Sequence, residues 1–125
     1  MTRKLLLLGA LLVSVGVTAA QGGDYWNGDT GSGTAVLYIG STTYGDVSTE
    51  PYSPSDSTLT QAMLSCDAGN DYATSHPTDQ VVQGGTQVQV QVQGCYGEVT
   101  LNGWHTVSHL GGYEYGGTFV SDWAY

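Results

Sequence analysis

Thr86–Gln93 reads TQVQVQVQ: Val88, Val90 and Val92 alternate without a break with Gln87, Gln89, Gln91 and Gln93. Successive side chains of an extended strand point to opposite faces, so a strict period of two sorts the residues by side. One face is β-branched and apolar, the other polar and uncharged. This segment therefore commits its part of the chain to a sheet with one dry face.

The remaining sequence is punctuated for the same architecture. Residues 34–39 (TAVLYI) read as a strand ended by Gly40, and residues 41–44 as its continuation around a turn. Over residues 45–57 turn formers dominate, and Pro51 and Pro54 argue against a central strand. Residues 59–66 (LTQAMLSC) admit two readings. A short helix capped by Asp56 or Ser57 would put Leu59, Met63 and Leu64 on one side; a strand suits the β surroundings better. Residues 67–79 read as a polar loop. Further on, residues 98–101 and 104–110 flank Asn102–Gly103, the dipeptide of a type I′ hairpin turn. A glycine-bounded connection, residues 111–117 (GGYEYGG), then leads to a last strand at residues 118–125. The expectation is an all-β fold: a small antiparallel β-sandwich or barrel of about six to eight strands.

Ahead of this domain lies a segment with the three parts of a secretory leader. Arg3 and Lys4 are followed by an apolar run, residues 5–17, and then by the small residues Thr18, Ala19 and Ala20. The run is too short as a helix to cross a bilayer. The expected organisation is a signal peptide over residues 1–20, a Gly-rich N-terminal arm over residues 21–33, and a single β domain over residues 34–125. The expected destination is the periplasm, the cell surface or the medium.

Charge then narrows the partners. Arg3 and Lys4 are the only two basic residues, so loss of the leader leaves eleven carboxylates and no Lys or Arg. Binding nucleic acid by neutralising phosphates needs those cations, and so does docking on anionic lipid. The domain is expected to bind neither. Cys66 and Cys95 are the only cysteines, and a lone pair in an oxidising compartment is expected to form a disulfide.

Motifs for chemistry are sparse. His105 and His109 share one face of a strand but stand about 13 Å apart there, too far for one ion; both are expected to be exposed. Asp67, Asn70, Asp71 and Asp79 offer oxygens for calcium, without the spacing of an EF-hand loop. No other cofactor is expected. The chain contains no nucleophile elbow, zinc-binding helix motif or P-loop, and a glycosidase would need two carboxylates across a cleft. It is therefore expected not to be an enzyme. Nine Tyr and three Trp against a single Phe remain. Trp104, Tyr113 and Tyr115 would stack on sugar rings if exposed; as core residues the tryptophans would only fill space.

Two functions follow from this reading. The first is a structural or self-associating surface protein whose uncharged Val/Gln strand, N-terminal arm or terminal strand completes the sheet of another copy. The second is a secreted carbohydrate-binding module, which requires an exposed row of Tyr or Trp.

Overall fold

The computed structural model describes residues 20–125; the signal-peptide expectation falls on residues outside these. Two antiparallel sheets pack face to face as a sandwich. The described residues form nine strands: β1 (Ala20–Asn27), β2 (Gly31–Tyr38), β3 (Thr42–Pro51), β4 (Ser57–Cys66), β5 (Gly69–Thr74), β6 (Val82–Gln83), β7 (Thr86–Gln93), β8 (Gly97–His109) and β9 (Gly112–Ala124). The first sheet runs β1-β2-β3-β7 and the second β5-β4-β8-β9, with the short β6 also pairing β4. The all-β sandwich is as expected, with one strand more than the range read from the sequence.

The core follows from the alternation. Val88 and Val90 of β7 turn inward beside Ala35, Leu37 and Val47, against Ala62, Leu64, Val99, Leu101 and Val120 of the second sheet. All are buried, and at about 25 cal/mol per Å² of apolar surface they supply most of the driving force. Residues 59–66 belong to strand β4, the second of the two readings. Cys66 and Cys95 are bonded, with Cα atoms 5.7 Å apart. The bond ties the end of β4 in one sheet to the residues just past β7 in the other.

Five local expectations are overturned. Residues 21–33 are not a free arm: β1 pairs with β2 along its length, with Asp24 opposite Ala35 and Trp26 opposite Gly33. The turn-rich stretch after Gly45 is mostly strand, since β3 continues to Pro51, opposite Gly31. Asn102 and Gly103 lie in the middle of β8, paired with Phe119 and Thr118. The hairpin turns instead at Leu110 and Gly111, whose φ angles of 49° and 82° are the paired left-handed values of a type I′ turn. The glycine-bounded residues 112–117 are thus the first half of a thirteen-residue strand, β9. Part of the expected polar loop, Gly69–Thr74, is strand β5.

β7 is an edge strand, bonded only to β3. At the seam where it meets the other sheet, Gln91 donates its backbone N–H to a carboxylate oxygen of Asp71 at 2.9 Å. The opposite seam repeats the device: Phe119 of edge strand β9 donates its backbone N–H to Asp24 of edge strand β1 at 3.0 Å. An acceptor-only side chain occupying an edge donor blunts that edge against a further strand.

Inside the sandwich a polar chain replaces part of the apolar core. Thr60 donates to Thr49 at 2.7 Å, Thr49 lies 2.8 Å from His105 Nδ1, and His105 Nε2 lies 2.9 Å from Thr118 Oγ1. A neutral imidazole protonated at Nε2 satisfies this chain, accepting from Thr49 and donating to Thr118. His105 is 1% exposed, not on the surface as expected. Burial lowers its pKa from 6.5 to about 4, against the opposing pull of the Ser48 backbone and the Asp24 charge. Its ring stacks on Trp26 at 6.0 Å and faces Gly33, where a Cβ would come within 2.3 Å of Nδ1.

Candidate functional site

The two outer faces of the sandwich differ in chemistry. On the first sheet the outward positions of the central and β7 strands are mainly Ser, Thr, Asp and Gln, cross-linked by pairs such as Thr34 with Ser48 and Gln89 with Asp46. Tyr25 is the one large, well-exposed apolar side chain on its strands. The second sheet turns Tyr72, Trp104, Tyr113, Tyr115, Phe119 and Trp123 outward, each between 43% and 72% exposed. Strand parity places them there. In β9 the even-numbered Thr118, Val120 and Ala124 are buried, so the odd positions face solvent. In β8 the odd-numbered Val99, Leu101, His105 and Val107 are buried, so Trp104 faces out.

A groove of about 700 Å³ opens on this face. Leu59 and Thr106, paired across β4 and β8 and nearly buried, form its floor. Residues Asp79, Gln80 and Val81 of the β5–β6 connection line one side; Tyr113, Tyr115 and Trp104 line the other. The rings of Tyr113 and Tyr115 are stacked, with centroids 6.3 Å apart and planes 15° from parallel. The three residues singled out for stacking are therefore brought into one site, and of the two readings of Trp104 the exposed one holds. Trp123 is 54% exposed.

Polar groups converge on the same groove. Gln61, opposite Trp104 on β4, donates through Nε2 to the Tyr72 hydroxyl at 2.9 Å and to Asp79 Oδ1 at 3.4 Å. Asp79 is held in place by its backbone N–H, which donates to the His76 carbonyl, and by a left-handed φ of 57°. Among the described residues it is the only carboxylate lining the groove. Glu114, between the two tyrosines in sequence, points the other way. Its two carboxylate oxygens accept the backbone N–H groups of Asp29 and Thr30, each at 2.8 Å, and the Thr30 hydroxyl. Those bonds from Thr30 and Asp29 hold its carboxyl below the usual range.

The four calcium candidates are dispersed. Asp67 accepts the backbone N–H of Tyr96, Asp71 that of Gln91, and Asp79 sits at the groove. Asn70 is exposed on β5 opposite Ser65. Among the described residues no group of three His, Cys, Asp or Glu is placed to hold a metal ion. His109 pairs with Asp56 at 2.8 Å, far from the buried ring of His105.

Sequence reasoning missed Phe119 as a surface residue and did not join Gln61, Asp79 and Gln80 to the aromatics. The signal for the former was present: Tyr113, Tyr115, Phe119 and Trp123 all hold odd positions of one strand, hidden by the glycine pairs that made its first half look like a loop. The latter requires the pairing of β4 with β8, which no local pattern encodes. Comparison of the chain with protein-family models, with curated proteins and with solved structures returned no match.

Proposed function

We propose that the protein is an exported glycan-binding domain, and that it binds through the outer face of its second sheet. The observation that carries this is the groove: three exposed aromatic residues on neighbouring strands, two of them with parallel rings, beside an amide and a single carboxylate. The electron-rich faces of Tyr and Trp attract the polarised C–H bonds of a sugar ring, and the flanking amide and carboxylate suit its hydroxyls. A pocket with a mainly apolar lining and few convergent polar groups is the usual form of a small-ligand site. Export is part of the proposal, and the Cys66–Cys95 bond, which fits an oxidising compartment, supports it. A lone lining carboxylate suits binding better than hydrolysis, which requires two.

The test is migration of the purified protein through native gels cast with soluble polysaccharides. Retardation by at least one polymer, abolished by Trp104→Ala and by Tyr115→Ala while their melting curves stay two-state, is the expected result. Unretarded migration through every gel would refute glycan binding.

Self-association keeps one observation in its favour. β7 is an edge strand with no charged residue, and side chains occupy only two of its edge backbone groups among the described residues, the Gln91 N–H and the Thr86 carbonyl. The free arm that would have served as connector is instead part of the first sheet. Light scattering across a concentration series separates the readings: species that grow with concentration support assembly, and a constant monomer removes it.

A further inference from the structure

The aromatic surface does not stop at the groove. Along the outer side of β9 the positions in order are Tyr113, Tyr115, Gly117, Phe119, Ser121 and Trp123, a line of about 33 Å from end to end at 3.3 Å per residue. Trp104 stands beside it on β8, opposite Gly117. Beside this line, on β8, lie hydroxyl and amide side chains of the same face: Ser108 opposite Tyr113, Asn102 opposite Phe119, Thr100 opposite Ser121. A row of rings on β9 thus runs alongside a row of hydrogen-bonding groups on β8, both in the strand direction.

Gly117 is the one residue of this line without a side chain, and the space above it is open. A Cβ added there would meet only the Gly103 carbonyl oxygen, at 3.7 Å, an ordinary contact. Its backbone φ is not left-handed. Neither packing nor backbone geometry requires glycine here. The residue leaves a slot bounded by Tyr115, Trp104 and Phe119.

Charge selects among long ligands. The described residues contain no Lys or Arg, and carboxylates stand near both ends of the line, Asp79 at the groove and Glu98 opposite Trp123. A polyanion would be repelled at both ends of the line. A second copy of this face would bring the same carboxylates against each other.

Building on the glycan-binding reading, we infer that the ligand is an uncharged, linear polysaccharide chain that lies along β9 from Tyr113 to Trp123 and passes through the slot at Gly117. Several consecutive sugar units are engaged at once, so affinity accumulates along the chain as each further unit finds its ring.

The experiment uses the purified protein with cellulose, chitin, xylan and mannan derivatives in native gels, and alginate as the anionic control. Isothermal titration then follows with oligomers of whichever polymer retards it, from disaccharide to hexasaccharide. Affinity should rise at least about tenfold across the series. Trp123→Ala should weaken the hexasaccharide about tenfold and leave the disaccharide unchanged. Gly117→Val should block the long oligomers by a similar factor, with a melting temperature at or above that of the parent protein. Equal affinities for short and long oligomers, with Trp123→Ala silent, would overturn the extended site and leave the groove standing. Retardation by alginate alone would overturn the neutral ligand. No retardation in any gel would remove the underlying glycan reading itself.

Discussion

Acid should destabilise this domain through His105, and the size of the effect can be worked out in advance. The ring is buried between the sheets and bonded to two threonines as a neutral group. Its pKa is about 4 in the folded protein and 6.5 when the chain is solvated. Lowering the pH through 6.5 protonates the unfolded chain first, so protons pull the equilibrium toward unfolding until the folded form also accepts one near pH 4. The stabilisation is whole above pH 6.5, declines between 6.5 and 4, and is spent below that. At about 1.4 kcal/mol per pH unit the loss comes to about 3 kcal/mol. That is a large share of the 5–15 kcal/mol, roughly, that stabilises a domain of this size. Carboxylates also titrate toward the acid end. Asp46, raised by burial, and Glu114, lowered by its bonds to Thr30 and Asp29, pull in opposite directions. The assay must therefore isolate the histidine. Urea melts of the parent protein and of His105→Gln at half-unit steps from pH 8 to pH 3 supply a difference curve, in which the carboxylates largely cancel. It should fall with a slope of about one proton between the two pKa values and be flat on either side. A flat difference curve, or one that rises as the pH falls, would refute the argument that the buried ring stays neutral.

Three further outcomes follow from the packing. Reducing Cys66–Cys95, which closes a loop with a sequence separation of 29, should cost about 3–4 kcal/mol on the chain-entropy estimate; melts with and without reductant should differ by more than about 10 °C. Gly33→Ala should destabilise by about 2 kcal/mol or more, because its Cβ would fall 2.3 Å from the imidazole that fills the space, read out as a lower urea midpoint with unchanged slope. Asp71→Ala frees the Gln91 N–H on the edge of β7 and should raise the rate of aggregation in light scattering more than its small loss of stability would account for.

The parts of the fold legible in the sequence are those where the inner face is apolar. The Val/Gln strand announces itself because Val88 and Val90 are the buried side. β3 is built on the same period, yet its inward positions include Thr43 and Thr49, both fully buried. A buried threonine carries no hydropathy signal, whether bonded into the histidine chain as Thr49 is or without a hydrogen-bond partner as Thr43 Oγ1 is, so residues 45–51 of β3 read as turns. The Asn102–Gly103 signal failed for a related reason. A Cβ at Gly103 would meet Thr118 Oγ1 at 2.4 Å and Val47 at 2.8 Å, so that glycine serves the contact between sheets and not a bend. β1 looked like an arm because its glycines have no apolar face of their own. It is held by Trp26, which lies over His105 and against Gly116. At the candidate site the aromatic residues were nameable from sequence and their polar companions were not, since Gln61 and Asp79 reach them only through the alignment of β4, β8 and the β5–β6 connection.

The way the strands are dealt between sheets has a consequence for how the chain reaches its native state. β3 ends at Pro51 and its partner β7 begins at Thr86, after the chain has crossed to the other sheet and laid down three strands. β4 likewise waits for β8. Both pairings demand closure of long loops before any contact rewards them, which places folding in the millisecond-to-second range instead of the microsecond range. Through that interval the stretch of alternating Val and Gln is synthesised, solvated and unclaimed. Its lack of charge, harmless in the finished sandwich, then becomes the principal hazard on the path to it.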